Sequence, residues 1–256
     1  MKTLLHEMTS QEFLEALSKD PIVIIPFGSI EQHGNHLPLG TDFLISYEVA
    51  KKASEILSSE LSVIVLPPVW IGLSIEHLDF PGTLTFYEPE SFISLVVDIC
   101  KSLKKHGIRK IVFLNQHGGN KGILRGILQS IKAKTGSFVL FIQLERLIKD
   151  AIKRIIDSSI EIHAGEVETS IMMHLFSSLV DVEKAKKELP EKFMETLYIK
   201  LNSEKVDFSW LTKDLSSSGV IGDPLKASKE KGKELFEKAV NELCELLREF
   251  KRLKID

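Results

Sequence analysis

Residues 22–42 read IVIIPFGSIEQHGNHLPLGTD, and the fold follows from this stretch. Ile22–Phe27 is an unbroken apolar run. A polar loop follows, and Thr41 or Asp42 then caps a run with helical spacing (Phe43, Leu44, Ile45, Val49, Ala50) that extends to about Leu57. A continuous apolar run, rather than strict alternation, predicts a strand covered on both faces. Three more such runs follow: Ser62–Leu66 (SVIVL), stopped by Pro67 and Pro68, then Lys110–Leu114 (KIVFL) and Ser137–Gln143 (SFVLFIQ). Helical patterns lie between and after them, over Pro89 to about Lys105, Asn120 to about Thr135, from near Leu144, over about Glu166–Ser177, and from Ala227 to about Lys251.

Strand–helix alternation predicts an α/β fold with a largely parallel central sheet flanked by helices, joined by right-handed crossovers. No internal repeat or low-complexity tract interrupts it, so residues 1–256 read as a single domain. Gly28–Gly40 and Pro67–Pro89 are loop-rich. Lys187–Pro224 is weakly patterned and reads as an excursion or a subunit contact.

A net charge of −3 gives no basic footprint, which argues against a nucleic-acid or anionic-membrane partner. No apolar run approaches the ~20 residues of a membrane span, and none near the N-terminus has the form of a signal peptide. A cytoplasmic protein is predicted. Cys100 and Cys244 stand alone in apolar helical surroundings and read as buried hydrophobes rather than zinc thiolates.

The chemistry concentrates just past strand ends, where open α/β sheets bind ligands. The loop after the first strand holds Glu31, His33, His36 and Asp42 within twelve residues. Glu31 and His33 are two apart, so in extended backbone they point the same way. Carboxylates and imidazoles suit Zn²⁺, Mn²⁺ or Fe²⁺. A polar surface loop with a capping Asp is the plainer alternative. The third strand runs into Asn115-Gln116-His117-Gly118-Gly119-Asn120, which brings His117 to the same sheet edge, while Asn120 can cap the next helix. His163-Ala164-Gly165-Glu166-Val167-Glu168 opens a helix. First-turn acids are favoured by the helix dipole alone; the functional alternative is a fifth ligand from one Glu and proton transfer from His163. Ser74, Glu76 and His77 follow the second strand and either line a pocket or order the loop. His6, His106 and His174 read as structural. No phosphate-binding loop, dinucleotide fingerprint or nucleophile elbow is present.

Taken together, GSIEQHGNHLPLGTD, GLSIEHLDFPGTLT, NQHGGN and HAGEVETS, with SGVIGDP near the C-terminus, resemble the creatininase family. The resemblance implies one α/β domain, two divalent metals per subunit and assembly into homohexamers. Matched by motif, Glu31, His33, Asp42 and His117 fall on metal ligands, with Asp42 bridging, and His163 falls on the position credited with proton transfer. True creatininases follow that His117 with Tyr and a metal-binding Glu. Gly118 and Gly119 stand there instead, and Glu168 is the expected replacement ligand. A substrate-packing Trp before the catalytic His is also missing, with Ser159 and Ile160 in its neighbourhood.

The expected enzyme is therefore a metal-dependent amidohydrolase that activates water between two ions to cleave a cyclic amide or formamide C–N bond of a small molecule. His163 or Glu166 would protonate the departing nitrogen. Ser74, His77, His36, Gly118 and Gly119 are the expected substrate-binding residues. The HGGN form looks more like relatives that deformylate a formamidopyrimidine nucleotide or trim a peptide-derived cofactor than like true creatininases. A peptide-cofactor peptidase and a non-catalytic, metal-stabilised binding protein are the alternatives.

Overall fold

The computed structural model describes residues 2–194, 196, 198, 199, 201 and 206–255. Four parallel strands form the sheet: β1 (Ile22–Phe27), β2 (Val63–Val65), β3 (Lys110–Asn115) and β4 (Phe138–Gln143), in the order β2-β1-β3-β4. β1 and β3 run in step, with Ile22 opposite Lys110 and Phe27 opposite Asn115. Every residue of β1, β2 and β3 is buried. This explains why their sequence does not alternate: both faces are covered. Ile22, Ile24, Val112 and Leu114 pack on one side, against helices Thr41–Leu57, Glu166–Leu175 and Lys229–Arg252. Val23, Ile25, Ile111 and Phe113 pack on the other, against helix Pro89–Lys105 and its neighbours.

The helical run from Asn120 divides at Ile127 into Asn120–Gly126 and Leu128–Thr135. Gly122 and Gly126 lie just before the break, and glycine is a poor helix former. Asn120 does not cap. Its amide donates to the Gly28 carbonyl at 3.0 Å and its oxygen accepts from Leu73 N at 3.0 Å, pinning three loops together. Likewise Gly40, not Thr41 or Asp42, precedes the Thr41 helix, and no side chain caps it. Cys100 and Cys244 are free and buried, as their surroundings predict. Part of Lys187–Pro224 lies outside the described residues. Among the described residues, no helix is long and apolar enough to cross a membrane.

The C-terminal helix crosses the Glu166 helix at backbone contact. A Cβ on Gly232 would lie 1.8 Å from the Ser170 carbonyl oxygen and 2.3 Å from its carbon. Backbone cannot yield as a side-chain tip can, so Gly232→Ala should cost about 1–3 kcal/mol by overpacking. At roughly 2–4 °C per kcal/mol for a chain of this size, thermal unfolding should show a Tm lower by several degrees. An unchanged Tm would mean that the crossing is slack.

Candidate metal centre

β1 and β3 end side by side, and the site is built past those ends. The loop after β1 carries Glu31 and His33, the first turn of the next helix carries Asp42, and the loop after β3 carries His117. All four are at most 3% exposed. The Glu166 helix brings in Glu168, and the residues before it bring in His163.

These side chains form overlapping groups with the reach of metal sites: Glu31, Asp42 and His117; His33, Asp42 and Glu168; and Glu31, His33 and His163. The first two share Asp42. His117 Nδ1 lies 2.9 Å from Glu31 Oε2 and 3.2 Å from Asp42 Oδ2. His33 Nε2 lies 3.5 Å from Asp42 Oδ1 and 3.9 Å from Glu168 Oε2. His163 Nδ1 lies 3.6 Å from Glu31 Oε1.

The outer nitrogen of each ring fixes what the inner one offers. His33 Nδ1 donates to the Glu31 carbonyl at 3.1 Å, His117 Nε2 to the Leu73 carbonyl at 2.8 Å, and His163 Nε2 to the Gln32 carbonyl at 2.6 Å. A carbonyl oxygen only accepts, so each outer nitrogen carries the hydrogen. The three inner nitrogens therefore face carboxylates, an arrangement that calls for a proton or a metal ion between them. Carbonyl partners of this kind orient metal-binding histidines. His33 Nε2 and Asp42 Oδ2 are also buried without a well-formed hydrogen bond. The donor set thus fits divalent metal.

The electrostatics agree. Burial opposes charging His33, but Asp42, Glu168 and Glu31 outweigh it and lift its pKa to about 10. Burial resists ionisation of Asp42, yet His33 and His117 hold it well below the usual carboxylate range. Burial lifts Glu168 to about 7 against the pull of His33. The site draws in positive charge, for which a proton would compete with any metal ion.

Gly119 leaves no room for a side chain two residues after His117. A Cβ there would sit 2.0 Å from the Leu73 carbonyl oxygen and 2.6 Å from His117 Nε2. The Leu73 loop occupies the space of a side chain. Glu168 approaches from the opposite side, with Oε2 accepting from Ala164 N at 2.8 Å and Oε1 from Gln116 Nε2 at 3.3 Å.

The other expected site residues divide. Ser74 Oγ donates to Glu31 Oε2 at 2.7 Å and also pairs with Ser29. His77 Nε2 reaches to 3.4 Å from Glu31 Oε1. Gly118 is exposed at the rim. His36 is buried behind the cluster and bonds Thr169 Oγ1 at 2.9 Å, bracing the helix that carries Glu168; burial pushes its pKa down to about 4. Glu166 is not brought to the cluster. Its carboxylate accepts from Asp157 N, Ser158 N and Ser158 Oγ and pairs with Lys231, which leaves it no route to a departing nitrogen. Glu145, at the end of β4, went unnoticed in the sequence. Burial, with help from Glu168 and Asp42, lifts its pKa to about 8. It shares an apolar cavity wall with Gln116, the residue that holds Glu168.

The creatininase profile, described as creatinine amidohydrolase, matches residues 6–247. The chain belongs to the creatininase family. Membership makes it a hydrolase of the amidohydrolase class. It is 32% identical to the mycofactocin precursor peptide peptidase of Mycolicibacterium smegmatis, over 86% of this chain and 82% of that one. A Bacteroides fragilis protein described as a creatinine amidohydrolase superposes with a TM-score of 0.87 at 26% identity, covering 100% of both chains. A mutant creatininase of Zn–Zn type superposes with a TM-score of 0.80 at 25% identity, over 97% of this chain and 98% of that one. These creatininase-family structures share the single α/β layer arrangement described above.

Proposed function

We propose that the chain hydrolyses a C–N bond in a cyclic amide or formamide of small size, using two divalent ions held by Glu31, His33, Asp42, His117 and Glu168, with Asp42 shared. Zinc, manganese and iron all suit this donor set. The observation that carries the reading is the set of three imidazole nitrogens turned onto buried carboxylates, with the outer nitrogen of each ring tied to a backbone carbonyl. Bound divalent ions there supply a water of lowered pKa and polarise a carbonyl. The chain's own part is positional. The backbone carbonyls of Glu31, Gln32 and Leu73 hold the rings, and Ser74 steadies Glu31. His163 presents a bare Nδ1 beside Glu31, placed to take a proton and return it to the departing nitrogen. Gly118 leaves open backbone at the rim for substrate, with His77 on the facing wall.

A second reading, a peptidase that trims a peptide-derived cofactor, is favoured by the 32% identity to the Mycolicibacterium peptidase. Elemental analysis of the purified protein, followed by assays of small cyclic amides, formamides and short peptides with the metal restored, separates the two. Amide or formamide turnover supports the first reading, and turnover of peptides alone supports the second. Stoichiometric metal with no turnover of any kind would leave a metal-stabilised binding protein, and failure to bind metal would overturn all three.

We further propose a cytoplasmic homohexamer, on the family resemblance. Trp70, Ile75, Leu84 and Tyr87 are 41–70% exposed on the loops around the site and are candidates for burial between subunits. Sedimentation equilibrium should return about six chain masses, and a single chain mass at micromolar concentration would refute the assembly.

A further inference from the structure

His77 belongs to none of the three ligand groups but faces them. Its ring lies 4.2 Å from that of His163 between centroids, at 35°, and its Nε2 points toward Glu31 Oε1. The position of its hydrogen follows from its neighbours. Gln32 Oε1 accepts from Gly34 N at 2.9 Å, which identifies the other end of that amide as NH₂. One NH₂ hydrogen goes to the Gly219 carbonyl at 3.0 Å and the other to His77 Nδ1 at 2.8 Å. The Thr212 hydroxyl stands 2.9 Å from the same Nδ1. A ring nitrogen that accepts carries no hydrogen, so the neutral ring bears its hydrogen on Nε2.

His77 is thereby the reverse of His33, His117 and His163. Their outer nitrogens donate to carbonyls and leave the inward nitrogens to face carboxylates, whereas His77 accepts at its outer nitrogen and turns an N–H inward. The acceptor facing that N–H is Glu31 Oε1 at 3.4 Å, a long contact beyond the usual ~2.7–3.2 Å of an N–H···O bond. An N–H held this loosely has donor capacity left for a better-placed acceptor entering the site.

We infer that His77 is a neutral hydrogen-bond donor to the substrate, with Gln32 and Thr212 as positioning residues that lock its tautomer. The group it receives must be an acceptor, such as a carbonyl oxygen or an unprotonated ring nitrogen. A substrate that offers only an ammonium or amide N–H at that point would be rejected, because two donors would face each other. The identity of the acceptor rests on the hydrolase reading above; the tautomer does not.

Imidazole nitrogen NMR of isotope-labelled, zinc-loaded protein tests the tautomer directly. The expected spectrum shows a hydrogen coupled to His77 Nε2 and none on Nδ1 near neutral pH. A hydrogen on Nδ1, alone or on both nitrogens, would overturn the inference. On the most active amide of the panel, His77→Phe should lower kcat by roughly 10²–10³-fold, the scale for losing one preorganised donor, with KM little changed. His77→Gln, which can place an N–H in the same space, should recover part of the loss. An unchanged kcat in His77→Phe would overturn the donor role. If no amide is turned over, that failure counts against the hydrolase reading, and the NMR result still decides the tautomer.

Discussion

Asp42→Ala should empty the centre of metal. Asp42 is the one residue common to the two ligand groups that also hold Glu31 with His117 and His33 with Glu168. Its two oxygens face two different imidazoles, His33 from Oδ1 and His117 from Oδ2. Removing it leaves each proposed ion with two protein donors, too few for a stable site in water. Loss of a residue that only orients a ligand costs 10–100-fold in metal affinity, and loss of a shared ligand should exceed that for both ions together. Metal content measured after dialysis should fall to near zero and turnover should fall with it. Retention of the wild-type metal content in Asp42→Ala would remove the basis for a shared ligand.

Glu168 and Glu166 should part company when each is changed to Gln. The two lie one turn-step apart at the start of one helix and face opposite ways. Glu168 closes the group with His33 and Asp42, whereas Glu166 is tied to Lys231, Asp157 and Ser158. Glu168→Gln should therefore lose the ion on the His33 side, keep the one held by Glu31 and His117, and lose at least roughly 10²–10³-fold in turnover. Glu166→Gln should keep all its metal. It should instead lower stability by about 1–3 kcal/mol, because the hydrogen bonds to a buried charge weaken, and thermal unfolding reads that loss. The paired measurement matters. A Glu166→Gln protein that melts normally but lacks an ion would exchange the two assignments.

The strands and the centre were readable in the sequence because each obeys a short-range rule. Ile22–Phe27 and Lys110–Leu114 are apolar throughout because both faces of the sheet are covered, and ligand-bearing loops lie where such strands end. Glu31, His33, Asp42 and His117 converge as their spacing and strand placement suggest. What was not readable depends on contacts between distant segments. Nothing around Thr212 marks it as a partner of His77, 135 positions earlier. Gln32 lies between two proposed ligands and passes for a spacer, yet its amide meets Gly34, Gly219 and His77. The choice between Glu166 and Glu168 was likewise beyond helix periodicity, since both are buried and both sit in the first turn. It took Lys231, on the C-terminal helix, to draw one away. Asn120 misled for the same reason: an Asn at a helix start reads as a cap, but Gly28 and Leu73 claim its side chain.

The proposed ligands are spread along the chain in a way that bears on how the protein matures. Glu31, His33 and Asp42 leave the ribosome early, and Glu168 is the last donor made. At roughly 5–20 residues per second, Glu168 follows Asp42 by roughly 6–25 s. Through that interval the nascent chain carries a half-built cluster that cannot close around an ion on the His33 side. The helix bearing Glu168 is then seated by the C-terminal helix, through the contact between Gly232 and Ser170. The proposed group of Glu31, Asp42 and His117 has all its donors once His117 is made, whereas closure on the His33 side waits for Glu168 and for the C-terminal helix that seats it.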